Sequence, residues 1–190
     1  ELSPLVVAGG PCVCNPEPIA DFIDLFFLGE GEEVDLEVID LYKEFKAKGA
    51  SKEEFLKAAA KIEGVYVPSL DDIEYNEDGT IKAVNLKDDT PATVKKRIIK
   101  DMDKAYYPDK FIVPFIEIVH DRVVQEVFRG CIRGCRFCQA GFIYRPVREK
   151  GFETVNAQAK ALCENTGYDE ISLSSLSTSD YSEIEPLLNN

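Results

Sequence analysis

The chain has 190 residues, 45% of them hydrophobic, which suffices for a core and excludes disorder throughout, in one domain or two small ones. Its 35 Asp and Glu against 22 Lys and Arg leave a net charge of −13, which excludes a general affinity of this chain for nucleic acid or anionic membrane. No apolar run approaches a membrane span and residue 1 opens no signal peptide, so a soluble, cytoplasmic protein without a membrane partner is expected.

The opening "LSPLVVAGG" reads as a short buried strand ending in Gly9 and Gly10, where backbone can turn tightly or approach a ligand. In "NPEPIADF" a short helix is predicted, with Asn15 as N-cap and Pro16 at the first position. "DFIDLFFLGEGEE" supplies a second apolar strand, and Glu30, Glu32 and Glu33 fit a turn and helix start rather than acid–base chemistry. The next helix is marked by Val34, Val38, Leu41 and Phe45 and closed by Gly49. Ser51 and Glu54 form a capping-box pattern before Phe55, Ala59 and Ile62, so a further helix ends near Gly64. Strand, glycine turn, helix, strand, helix is an α/β order.

Residues 64–118 read as a linker with a small β element: short β-type runs flank Asp78-Gly79, a strong hairpin signal. "TPATVKKRIIKDMDKAYYPDKF" fits helix and extended structure equally. "DRVVQEVF" then reads as a strand, followed by a cysteine-bearing loop, a helix marked by Val155, Ala159 and Leu162 that ends near Gly167, and a strand in "DEISLSSLS". That order is one βαβ unit with an expected right-handed crossover. The chain begins at Glu1 almost directly in an apolar run and ends soon after a strand, the pattern expected of a piece of a longer polypeptide.

Chemistry concentrates in "EVFRGCIRGCRFCQAG", residues 126–141. Six cysteines fall as a pair (Cys12, Cys14), a triplet (Cys131, Cys135, Cys138) and a single (Cys163), which is not the framework of a disulfide-stapled secreted domain. Thiolates spaced C-x3-C-x2-C reach one metal centre from one loop, and Gly130 and Gly134 are expected to let the backbone wrap it without Cβ clashes. A structural zinc site normally uses four ligands, and neither His120 nor Cys163 has helpful spacing for the fourth. A cubic iron–sulfur cluster held by three thiolates leaves one iron open for a substrate or cofactor.

"CIRGCRFC" resembles the C-x3-C-x-Φ-C signature of the radical S-adenosylmethionine (SAM) enzymes, with Phe137 at the aromatic position. The resemblance implies a 4Fe–4S cluster on Cys131, Cys135 and Cys138, in the loop after the first strand of a partial (β/α) barrel. It also implies SAM chelated to the open iron with Phe137 near its adenine, and reductive cleavage to a 5′-deoxyadenosyl radical fed by an electron donor such as flavodoxin or ferredoxin. Ser177, Ser179 and Asp180, just after the second strand, stand where the family often contacts the SAM amino group, although "SLSTSDY" departs from the usual Gly-Gly-Glu-like segment.

"VVAGGPCVCNPEP" with "DLFFLGEGEE" resembles the last third of the flavodoxin-like, Rossmann-type cobalamin (B12)-binding domain that precedes many such barrels, where a glycine pair, here Gly9 and Gly10, lies close to the corrin. "IVPFIEIVHDRVVQEVFRGCIRGCRFCQAGFIYRPVRE" looks like the barrel entry of a largely uncharacterised group of B12-binding-domain radical SAM proteins. The expected organisation is therefore the end of a cobalamin domain (1–63), a linker with a hairpin (64–118) and the first βαβ unit of a barrel (119–190). The parent would use SAM radical chemistry for methyl or sulfur transfer, with cobalamin as a further cofactor and RNA as one candidate substrate class.

The competing reading is a zinc-stabilised, non-catalytic interaction module. Cys12 and Cys14 are expected as small buried or partly exposed residues, Cys163 as core, and His120 as structural or solvated. Arg129, Arg133, Arg136, Arg145 and Arg148 make the cysteine region basic; they either balance an anionic cluster and cofactor or pair with the acidic excess.

Overall fold

A computed structural model describes residues 4–87, 89–116 and 118–189. The architecture is mixed α/β with small sheets, divided into two units, Glu1–Ile99 and Lys100–Asn190.

In the first unit the two opening apolar runs pair in parallel, β1 (Val7–Ala8) with β2 (Leu25–Phe27). The amphipathic patterns after them become α1 (Gly31–Ala47) and α2 (Lys52–Ala59), and β3 (Val65–Tyr66) closes the sheet antiparallel to β2. Their apolar faces meet in a core of Leu25, Val34, Val38, Phe55, Ala59 and Val65, with Leu41 and Phe45 packed against it. The capping box is present: Ser51 Oγ accepts from the Glu54 amide at 3.2 Å, and Glu54 accepts from the Ser51 amide at 2.7 Å. These reciprocal bonds lower the Glu54 pKa below its ordinary value. Asp78-Gly79 turns the hairpin of β4 (Asp71–Tyr75) and β5 (Ile81–Leu86), which lies within this unit.

Asn15 does not cap the short helix. The segment is a 3-10 turn over Glu17–Phe22 whose cap position is Pro16, with no side-chain hydrogen bond. Pro18 has no amide to offer, and the Ile19 amide is taken by the Pro16 carbonyl at 3.1 Å.

The segment whose sequence fits helix and extended structure equally forms no helix. Arg97 bridges to Gly29 in parallel, its amide donating to the Leu28 carbonyl at 2.8 Å while its own carbonyl accepts from the Glu30 amide at 3.1 Å. Gly29 has φ 117°, and a Cβ there would lie 2.1 Å from the Arg97 carbonyl oxygen, so only glycine admits this approach. The Arg97 guanidinium pairs with Glu33 at 2.7 Å and Glu37 at 2.6 Å, and the Ile99 amide donates to Glu30. Glu30 and Glu33 therefore do more than begin a helix: they fasten the returning chain.

In the second unit β6 (Val123–Glu126) leads directly to β7 (Phe128–Arg129). After the cysteine loop, α3 (Ala140–Ile143) and β8 (Arg148–Glu149) precede α4 (Phe152–Thr166), β9 (Ile171–Ser174) and α5 (Ile184–Leu188). Strands β6 and β9 are parallel, from Val123↔Ile171 to Glu126↔Ser174, with α4 as the crossover packed on β6. Val155, Ala159 and Leu162 are the buried face of α4, and Gly167 ends it. Val127, Phe128, Val155 and Tyr181 form the core next to the cysteine loop.

Tyr181 is 2% exposed, stacks on Phe128 and donates its hydroxyl to the Lys150 carbonyl at 2.7 Å. Tyr181→Phe keeps the ring and removes that hydrogen bond, so it should lower stability by about 1 kcal/mol, seen as an earlier urea midpoint with unchanged slope.

Candidate functional site

The cysteine loop is an excursion pinned at its base. β7 and β8 pair antiparallel, Phe128 opposite Glu149 and Arg129 opposite Arg148, so residues 130–147 leave and return at one point. Gly130 begins the excursion at φ 99°, and a Cβ there would meet the Tyr144 carbonyl oxygen at 2.8 Å, the Val147 Cα at 2.8 Å and the Pro146 carbonyl oxygen at 2.9 Å. Only glycine admits that crossing. Gly134 differs from expectation: a Cβ there meets nothing within 4 Å, so the loop does not need a glycine at that position to avoid a clash.

Cys131, Cys135 and Cys138 all lie on the tip, as free thiols; Cys135 is exposed and the other two are half-buried. The Cys138 amide donates to the Cys135 carbonyl at 3.1 Å, a local turn within the triplet. Residues 132–137 are exposed throughout, and Phe137 at the aromatic position is 93% exposed. Among the described residues no three Cys, His, Asp or Glu side chains stand together closely enough to hold a metal ion. The chemistry of the donor set still fits an iron–sulfur cluster, because three reduced thiols occupy one loop.

Parallel strands put their C-terminal ends at the same edge, so the segment after β9 emerges beside the segment after β6, which runs through β7 into the cysteine loop. There the structure joins two of the residue sets singled out in the sequence. Arg133, between the first two cysteines, grips Asp180 with both arms of its guanidinium, Nε reaching Oδ2 at 2.7 Å and Nη2 reaching Oδ1. Ser177 Oγ donates to the same carboxylate at 2.6 Å. Arg133 first, then Ser177, hold the Asp180 carboxyl below the usual carboxylate range. Asp180 in turn raises the Arg133 guanidinium above its ordinary value, with Cys131 and Cys135 contributing less. Ser179 faces solvent.

Of the other arginines, Arg129 pairs with Glu126 through Nε at 2.9 Å and Nη2 at 3.0 Å, and Arg148 donates to the Pro146 carbonyl at 3.1 Å. Gly9 and Gly10 are exposed at the C-terminal end of β1, and a Cβ at Gly10 would meet nothing within 4 Å. Cys12 and Cys14, expected as buried or partly exposed, are both exposed, with Val13 between them turned inward. Cys163 is half-buried and His120 is exposed.

Two polar clusters are not evident from the sequence. In the second unit Gln125, fully buried in the inward row of β6, donates to Gln158 Oε1 at 2.8 Å, which also accepts from Lys150 Nζ at 3.2 Å; Lys150 is 2% exposed and lies 4.3 Å from the Tyr107 ring centre. In the first unit a cavity of about 260 Å³ is lined by Glu17, Tyr66 and Asp71 among apolar neighbours such as Val65 and Leu86. Tyr66 donates to Glu17 at 2.7 Å, and burial followed by that carboxylate pushes the Tyr66 phenol up. The signal available in advance was a polar residue inside an apolar alternation, Gln125 between Val123 and Val127.

Residues 1–68 match the family model described as "Radical SAM proteins, N-terminal". Over those residues the chain is similar to radical SAM proteins. It is 30% identical over 197 residues to "Uncharacterized protein MJ0966" of Methanocaldococcus jannaschii, covering 97% of this chain and 34% of that protein. The chain thus spans about a third of the length of the curated relative it matches. No solved structure matches it. Among the described residues no helix is long and apolar enough to cross a membrane.

Gly130→Ala combines a positive φ with three backbone contacts below 3.0 Å. It should cost about 2 kcal/mol or more and loosen the β7–β8 base. Faster alkylation of Cys131, Cys135 and Cys138, read by peptide mass spectrometry, is the expected outcome, whereas Gly134→Ala should leave both stability and alkylation near the starting values.

Proposed function

We propose that this chain is part of a radical SAM enzyme and that Cys131, Cys135 and Cys138 hold a 4Fe–4S cluster. The observation that carries the reading is three free thiols in C-x3-C-x-Φ-C order on a loop pinned beyond the C-terminal end of one strand of a parallel pair. The match of residues 1–68 to the N-terminal region of radical SAM proteins supports it independently of the cysteines. Three thiolates leave one iron for SAM, and the bound group would supply reductive cleavage of SAM to a 5′-deoxyadenosyl radical. Phe137 is exposed on the same loop, and Ser177, Ser179 and Asp180 lie on the adjoining segment, which supports this edge as the SAM-facing side.

In the parent protein the chain comprises the end of a cobalamin domain over 1–63, a linker over 64–118 and the start of a barrel over 119–190. Exposed Gly9 and Gly10 at the end of β1 support a cofactor approach there. The parent would carry out methyl or sulfur transfer in the cytoplasm with electrons from a flavodoxin or ferredoxin. RNA is its candidate macromolecular substrate, bound through surfaces outside this acidic chain.

Anaerobic reconstitution with iron and sulfide should give a brown protein with about four irons per chain and a reduced-cluster electron resonance signal, and replacing any one of the three cysteines by alanine should remove most of it. Stoichiometric zinc, with folding lost on chelation and no cluster signal from the longer parent, would favour the non-catalytic zinc module instead.

A further inference from the structure

We propose that Arg133 is a positioning residue: by gripping Asp180 it fastens the tip of the cysteine loop to the segment after β9 and so sets where the three thiols stand. The inference rests on the cluster reading for its purpose, but the contact itself is independent of it.

The tip has little else to hold it. Residues 132–137 are exposed, Ile132 and Phe137 turn to solvent, and the base formed by β7 and β8 lies two residues before Cys131. Within the tip the bond from the Cys138 amide to the Cys135 carbonyl is local and fixes only the turn. Arg133 is different because it spans 47 residues of sequence.

The acceptor is built as an anchor. The Asp180 side chain is 12% exposed, against 58% for Arg133, so the carboxylate is the fixed partner and the arginine the reaching one. Its amide donates to the Ser177 carbonyl at 2.8 Å while its carboxylate takes the Ser177 hydroxyl, closing a small ring around the acid. The next residue, Tyr181, is core and bonded to the Lys150 carbonyl. A two-armed arginine on such an acceptor has the geometry in which an ion pair near a surface is worth measuring. Lysine, a single point donor, cannot reproduce the fork.

The test is amide hydrogen exchange on the full 190-residue chain, without metal, followed by iron uptake. Arg133→Met and Asp180→Asn should each speed exchange over residues 131–138 by about fivefold while leaving residues 123–127 and 155–162 unchanged, and Arg133→Lys should recover only part of the protection. Exchange over 131–138 equal to the starting protein in both variants would overturn the proposal. So would acceleration that reaches β6 and α4 equally, because that reports general destabilisation. Ser177→Ala, which keeps both charges, should give a smaller acceleration and serves where another variant folds poorly. In reconstitution, the same two variants should bind at most half the iron of the starting protein. If the starting chain itself takes up no iron, the cluster reading fails while the exchange result still decides whether Arg133 positions the loop.

Discussion

The second unit depends on one constraint, the parallel pairing of β6 with β9. Parallel strands cannot be joined by a tight turn, so the chain must cross over, and α4 makes that crossing with Val155, Ala159 and Leu162 turned inward. The consequence is geometric. Both strands run out at the same edge, Glu126 opposite Ser174, and the segment after each of them is delivered there. A cysteine loop and a serine- and aspartate-bearing turn, more than forty residues apart, become neighbours through register alone.

The two segments delivered to that edge are held by different means. Behind the edge, Phe128 stacks on Tyr181, and the Tyr181 hydroxyl ties the turn to the Lys150 carbonyl just after β8. Burial is the dominant force here, and it fixes backbone that carries no chemistry itself. Beyond Gly130 the side chains of residues 132–137 face water, so packing no longer acts and directional bonds take over. This division suits a site that must receive a ligand, since a loop buried by its own side chains would have no open face. Gln125 marks an exception inside the core: among the described residues its Oε1 has no hydrogen-bond partner, so part of its polarity is left unmatched beside Lys150 and Gln158.

Much of this was legible in the sequence, and the reason is periodicity. Val34 and Val38, or Val155, Ala159 and Leu162, repeat at helical spacing because one face of each helix must be covered, and the structure covers those faces. Ser51 with Glu54, Asp78 with Gly79, and Gly167 are local signals whose physics lies within a few residues, and they behave as their chemistry dictates. The cysteine triplet was legible for the same reason, since its spacing is confined to one loop. Long-range pairs were not. Nothing near Arg97 announces Glu33 and Glu37, and nothing near Arg133 announces Asp180, because each partner is chosen by the fold. Asn15 and Gly134 mislead in the opposite way: a residue type suited to a role was present where the backbone did not call on it.

Charge shows why Arg133 stands where it does. Two thiolates about 4 Å apart repel by about 4 kcal/mol at the effective dielectric near a protein surface, and three of them repel pairwise. Gathering the triplet therefore requires positive charge, and the chain as a whole, at −13, offers little. Arg133 stands between Cys131 and Cys135 and feels both thiols, yet its guanidinium is committed to Asp180, so the ion pair is nearly neutral seen from the cysteines. The arginine thus orients the loop, its own charge answered by Asp180, while Arg136 between Cys135 and Cys138 adds a further cation to the same tip.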